Sequence, residues 1–150
     1  MPHIHDKIDF TVEVLVVYKG KVLLRKHDKY KIWLSVGGHI ELNEDPNEAA
    51  VREVKEEVGL DIELVDIREY ISSDNEHREL IPPVGLNRHR ISDTHEHVTL
   101  IYFARASSDD VIPEKASDEW KWCIAEDIDT LKPIAKDIIF YAKRALKEVR

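Results

Sequence analysis

The stretch from Asp45 to Gly59, DPNEAAVREVKEEVG, constrains this chain more than any other part of it. It carries its own start and stop. Asp45 is a good N-cap, Pro46 suits a first helical turn where its missing N–H costs nothing, and Gly59 suits a left-handed C-terminal cap. At about 100° per residue, Ala50, Val54 and Val58 stack on one face, widened by Val51, and predict a helix lying on a core. Glu53, Glu56 and Glu57 fall on another face, about a quarter turn away. Like charges three and four residues apart repel by roughly 0.3 kcal/mol per pair. Two readings fit this pattern equally on spacing alone. The carboxylates converge on a hard cation, Mg²⁺ or Mn²⁺, or they form a solvated face with Arg52 and Lys55 as ion-pair partners.

Charge along the chain favours the cation. The net charge is -8 over 150 residues. Between Glu41 and Glu63 there are nine acidic residues against Arg52 and Lys55, which places -7 of that total in one window. A bound cation relieves self-repulsion on this scale. The same acidity argues against a nucleic-acid partner, which calls for a basic surface. No apolar run reaches the ~20 residues of a membrane span, and the first residues, MPHIHDKIDF, lack the apolar core of a signal peptide. One cysteine, Cys123, excludes an internal disulfide framework and reads as an inert buried residue. These features predict a single domain over residues 1–150, cytoplasmic, without a membrane partner; a homodimer stays open.

Around the helix the pattern is mostly of strands. Asp9 to Tyr18 is rich in β-branched residues, Lys19-Gly20 is a turn, and Lys21 to Arg25 returns as a hairpin partner. Trp33 to Val36 reads as a short strand running into Gly37-Gly38. Asp61 to Ser72 and His97 to Ala106 read as further strands, with Ser73 to Thr94 a long loop between them. Glu119 to Ile124 is a short strand before a brief helix at 125–131. Pro133 is expected to start the last helix, whose stripe is Ile134, Ile138, Ala142, Ala145 and Val149.

The residues about the first helix have a fixed order. Gly38 is followed after five residues by Glu44, and after seven more by Arg52-Glu53-Val54, then Glu56-Glu57 and Gly59-Leu60, each pair after one intervening residue. This resembles the Nudix box, GX5EX7REUXEEXGU with U aliphatic, at every specified position. The order of hairpin, Trp33, Gly-Gly, helix, strands and Glu119-Trp120 is also similar to that family from Phe10 to Leu131. The resemblance implies an α/β (α+β) fold, an α/β/α sandwich about a central mixed sheet. It implies a Mg²⁺-dependent hydrolase, with Mn²⁺ as a substitute, cleaving a diphosphate in a nucleoside diphosphate linked to another moiety. Glu53, Glu56 and Glu57 match the metal-binding acids, and the Gly38 carbonyl completes their coordination in the family. Arg52 looks like the arginine that orients them, and Glu44 like its supporting acid.

Two positions depart from the common family pattern: Val36 stands where many members have proline, and Asn43 where many have glycine. Neither is a ligand. The wording SVGGH is similar to the isopentenyl diphosphate isomerase branch, but that branch needs a cysteine near the preceding loop and this chain has none before Cys123. A binding-only sensor would not need the carboxylates, and all of them are present. Neither the proline of the ADP-ribose branch nor the tyrosine of the diadenosine branch is found at its usual distance past the box. A nucleoside triphosphate or another nucleotide derivative is therefore the default substrate.

Outside the box, Glu96 is a candidate general base acting from a loop, with Glu53 its rival and Glu119 a supporting acid. His77, Arg78, Arg88, His89 and Arg90 are candidate contacts to substrate phosphates. His95 and His97 share one strand face, but no third zinc ligand announces itself. His3 and His5 read as part of a polar N-terminus. Trp33, Trp120 and Trp122 read as packing residues before base-stacking ones.

Overall fold

In the computed structural model, which describes residues 3–150, the elements follow in chain order as β1 (Ile8–Tyr18), β2 (Lys21–Lys26), β3 (Trp33–Leu34), β4 (Val36–His39), α1 (Pro46–Val58), β5 (Ile62–Leu64), β6 (Gly85–Arg90), β7 (Glu96–Ala106), β8 (Glu119–Cys123), α2 (Ala125–Thr130) and α3 (Lys136–Glu148). Strand β1 is the spine. Its alternation puts Val12, Val14 and Val16 on one face and Leu15 and Val17 on the other, all buried. A strand covered on both faces reads as a continuous apolar run, which Val14 to Val17 supply.

On one edge β1 runs parallel to β7, from Ile8 opposite Glu96 to Val17 opposite Arg105. On its other edge it pairs antiparallel first with β4 and then with β2. β3 and β8 extend the sheet beyond β2, and β5 and β6 both pair with β7. The result is an eight-stranded mixed sheet. Helix α1 covers one face, packing Ala50, Val54 and Val58 against Val12, Val14 and Leu23. Helices α2 and α3 cover the other, packing Ile128, Ile138 and Ala142 against Leu15, Ile101 and Phe103. This is the expected α/β/α sandwich. No helix among the described residues is long and apolar enough to cross a membrane.

Five expectations need correction. The segment 73–94 is not all loop, because β6 lies within it. Its residues Leu86 to Arg90 are mostly polar and exposed, so the strand is held by backbone pairing to β7 and shows no apolar alternation. Conversely, 61–72 is a strand only at Ile62–Leu64. Asp66 then accepts from the Arg68 backbone N–H and turns the chain away. Trp33 to Val36 divides at Ser35, whose hydroxyl donates to Glu13, and the two halves pair with different strands. Helix α3 starts at Lys136 because Pro133 and Ile134 are engaged with Trp33 of β3. Val51 does not widen the core face of α1, being 43% exposed.

Gly37 shows how tightly β4 lies against β1. A Cβ there would stand 2.1 Å from the carbonyl oxygen of Val12 and 3.2 Å from the Cα of Glu13, so backbone would have to move. Gly37→Ala is expected to lower stability by roughly 2–3 kcal/mol, the scale of an overpacked core site. Chemical denaturation of the two proteins checks this, and a change below ~0.5 kcal/mol contradicts the packing.

Candidate active site

Helix α1 begins as its sequence implies. The Asp45 side chain accepts from the Glu48 N–H at 2.9 Å, and Glu48 returns a bond to the Asp45 N–H at 3.1 Å, a closed capping box. At the other end Gly59 adopts φ 69° and donates to the Lys55 carbonyl. Packing of Ala50, Val54 and Val58 on the sheet sets the rotation of α1, and that rotation turns two of its acids inward. Glu53 is 3% exposed and Glu57 7%. Glu56 lies at the rim, with its side chain 55% exposed.

The helix can approach because β4 offers glycine. A Cβ on Gly38 would lie 2.4 Å from the Glu53 carboxyl. Arg52 gathers the acids. Its Nε and Nη2 donate to both oxygens of Glu44 at 2.9 and 2.6 Å, and its Nη1 donates to Glu53 at 2.9 Å and to Glu56 at 3.1 Å. Its Nη2 also donates to the His39 carbonyl at 2.9 Å. A planar guanidinium with five donors can make such a set, and a lysine cannot. Glu57 is reached from elsewhere: the Gly37 N–H donates to it at 3.2 Å, and Arg25 of β2 pairs with its other oxygen.

The electrostatics follow from this crowding. Burial pushes Glu57 up to about 8; Arg25 opposes the shift, and Glu53 beside it adds to it. Burial also raises Glu53, with Arg52 pulling the other way. Glu44 is held below the usual carboxylate range by Arg52. Two glutamates forced together out of water, one retaining a proton near neutrality, form a site short of positive charge. An oxygen donor set of this kind fits a hard divalent cation. Glu53, Glu56 and Glu57, with the Gly38 carbonyl, are the residues that could hold it.

The remaining expected site residues scatter. Glu96 is the first residue of β7, two strands across and four residues along from Gly38, on the order of 16 Å by ideal strand spacings. Arg88 clamps it with bonds of 3.0 and 2.7 Å and keeps it ionised. The structure therefore does not bring Glu96 to the carboxylates as a mobile base. Arg88, His89 and Arg90 sit on β6, beyond β7 from the site. Arg88 is engaged by Glu96, Arg90 by Asp93, and His89 lies against Asn87. Arg78 does lie near α1, bonded to Asp45 at 3.3 Å. It borders a cleft of about 860 Å³ on the outer side of α1 that Arg52 and Glu56 also line, but Glu53 and Glu57 do not. His77 pairs with Glu79 on the surface, and Glu119 is exposed beside Lys26. Cys123 is buried, with its thiol pushed up to about 11, as an inert residue should be. Arg25 was not legible, since one basic residue at the end of KVLLR carries no motif.

A family profile described as NUDIX domain matches residues 9–142. The chain belongs to the Nudix family. A solved structure of a NUDIX-family hydrolase from Clostridium perfringens is 36% identical, covers 95% of this chain and 98% of its own, and superposes with a TM-score of 0.81. A MutT NUDIX hydrolase from Burkholderia pseudomallei shares the fold at 19% identity, covering 97% of this chain and 100% of its own, with a TM-score of 0.66. Among curated sequences, an RNA pyrophosphohydrolase of Roseobacter denitrificans is 27% identical over 129 residues, covering 80% of this chain and 79% of its own. As an enzyme this Nudix protein is a pyrophosphohydrolase.

The raised pKa of Glu57 has a consequence whose sign can be checked. Between its ordinary value of 4.5 and about 8, the folded protein holds a proton that the unfolded chain has released. Metal-free stability is therefore fullest below that window and falls as pH rises through it. In EDTA, Tm is expected to drop between about pH 5 and pH 8, and Glu57→Gln is expected to flatten the drop. An equal drop in the variant contradicts the assignment.

Proposed function

We propose that this Nudix enzyme uses a divalent cation, Mg²⁺ or Mn²⁺, to hydrolyse the P–O–P bond of a nucleoside diphosphate linked to another group, with nucleoside triphosphates as the default substrate class. The observation that carries the reading is the buried Glu53–Glu57 pair, whose charge the protein meets only in part. Bound between Glu53, Glu56, Glu57 and the Gly38 carbonyl, the cation would offset the charge of the phosphates and acidify a water.

The chain's own residues divide the remaining work. Arg52 fixes Glu53 and Glu56 in place and keeps Glu44 ionised as its counterweight. Arg25 of β2 holds one oxygen of Glu57 and orients its carboxyl. With Glu96 tied to Arg88 at a distance, Glu53 and Glu57 are the acids that can take a proton from the attacking water. A carboxyl whose affinity for protons lies near neutrality suits that task.

The relative named an RNA pyrophosphohydrolase supports pyrophosphate chemistry. The net charge of -8 favours a small nucleotide over a polymer, and a cytoplasmic setting fits the single cysteine. Phosphate or pyrophosphate release from dNTPs, NTPs, nucleotide sugars, ADP-ribose, dinucleoside polyphosphates and a triphosphate-ended RNA, each with Mg²⁺ and with EDTA, tests the reading. At least one is expected to be cleaved with Mg²⁺ and none with EDTA. Glu57→Gln is expected to lower kcat by ~10²-fold or more while the fold survives. Turnover that persists in EDTA, or a near-normal rate in the variant, contradicts it.

A further inference from the structure

On the face of the sheet turned away from α1, side chains gather that the hydrolytic site does not use. Asp9 of β1 lies opposite His97 of β7, and the next inward-facing pair position on β1, Thr11, lies opposite His39 of β4. Strand alternation puts His95 on the same face as His97. The chain before β1 folds back over them. The backbone N–H groups of Ile4 and His5 donate to the Asp9 carboxylate at 3.2 and 2.7 Å, and His3 Nδ1 stands 3.1 Å from Asp9 Oδ2. Asp9 is 1% exposed and His95 5%.

Each of His3, Asp9, His95 and His97 offers one ligand atom within 4.8 Å of the others. Nε2 of His39, of His95 and of His97 is buried and makes no well-formed hydrogen bond, although those of His39 and His95 stand 3.2 and 3.4 Å from Asp9 Oδ2. A buried polar group left unmet is costly, so three in one place call for an explanation. His95 is also oriented from behind: its Nδ1 donates to the Asp6 carbonyl at 2.9 Å, which leaves the lone pair of Nε2 facing the cluster. Metal-binding histidines are held in this way.

We propose that His3, Asp9, His95 and His97 form a binding site for a divalent transition-metal ion of the Zn²⁺ class, distinct from the carboxylates of α1. Three imidazoles and one carboxylate make a four-coordinate N/O donor set suited to Zn²⁺, whereas Mg²⁺ prefers oxygen. Protonated histidines paired with Asp9 are the competing explanation. Both explanations place the rings about Asp9, with His3 Nδ1 and His95 Nε2 at 3.1 and 3.4 Å from its Oδ2, and a metal titration separates them. Although burial opposes it, the N–H groups of His5 and Ile4 keep Asp9 ionised. Neutral imidazole and ionised carboxylate are the ligating forms. The ion would pin the segment carrying His3 to β1 and β7. His39 backs the site at 3.2 Å from Asp9 Oδ2 and passes its carbonyl to Arg52, so the ion would also brace the arginine that orders the hydrolytic acids.

The test strips untagged full-length protein with EDTA, removes the chelator, and titrates Co²⁺ as the spectroscopic stand-in for Zn²⁺. One equivalent is expected to give the visible absorption of four-coordinate Co²⁺, displaced by Zn²⁺ and unmoved by excess Mg²⁺. Glu57→Gln is expected to keep the band, which separates this site from the hydrolytic one. His97→Asn is expected to lose it, and His3→Ala to weaken Co²⁺ binding about tenfold or more. No saturable band, a band unchanged in His97→Asn, or a band lost in Glu57→Gln overturns the proposal. Should His97→Asn fail to fold, His3→Ala decides, since its side chain is 44% exposed and removable without opening the core; unchanged affinity there overturns the site.

Discussion

Two glutamates of one helix are held side by side out of water, and much of the molecule is arranged to make that possible. Glu53 and Glu57 would each be solvated if α1 were rotated a quarter turn. The capping box at Asp45 and the glycine cap at Gly59 limit where the helix begins and ends. Ala50, Val54 and Val58 then settle its rotation by packing on β1. Gly38 clears the space the Glu53 carboxyl fills. Burying a charge is costly unless a partner is supplied, and here the partners are only partial. Arg52 is shared among three acids, and Arg25 reaches only one oxygen of Glu57. The protein thus keeps a site whose electrostatic deficit a cation can fill.

The sheet separates two kinds of chemistry. On the α1 face the donors are carboxylate oxygens, hard and crowded. On the opposite face, at the N-terminal ends of β1 and β7, they are imidazole nitrogens around one aspartate. His39 and Gly38 are neighbours on β4 whose side-chain directions point to opposite faces. A four-residue strand therefore borders both sites, and the His39 carbonyl on Arg52 joins them through backbone.

What could be read from the sequence was whatever a single helix or a single strand encodes. The caps of α1 and the shared face of Glu53, Glu56 and Glu57 follow from helical spacing, which is fixed, and the role of Arg52 follows from the resemblance of the box. The histidine site depends on register between strands far apart in the chain. His39, Asp9 and His97 meet only once β4, β1 and β7 are paired, and no local pattern announces that. Strand β6 was missed for a related reason: Leu86 to Arg90 lacks an apolar face, because the backbone of β7 holds it. Glu96 looked mobile beside a supposed loop, and the same unseen strand supplies Arg88 to tie it down.

The central claim is that the Glu53–Glu57 pair retains a proton near neutral pH and gives it up when a divalent cation binds. Calorimetric titration of Mg²⁺ at pH 7, in two buffers of different ionisation enthalpy, measures this proton directly. The account predicts saturable binding with release of up to about one proton per site. Saturable binding with no proton released would contradict it.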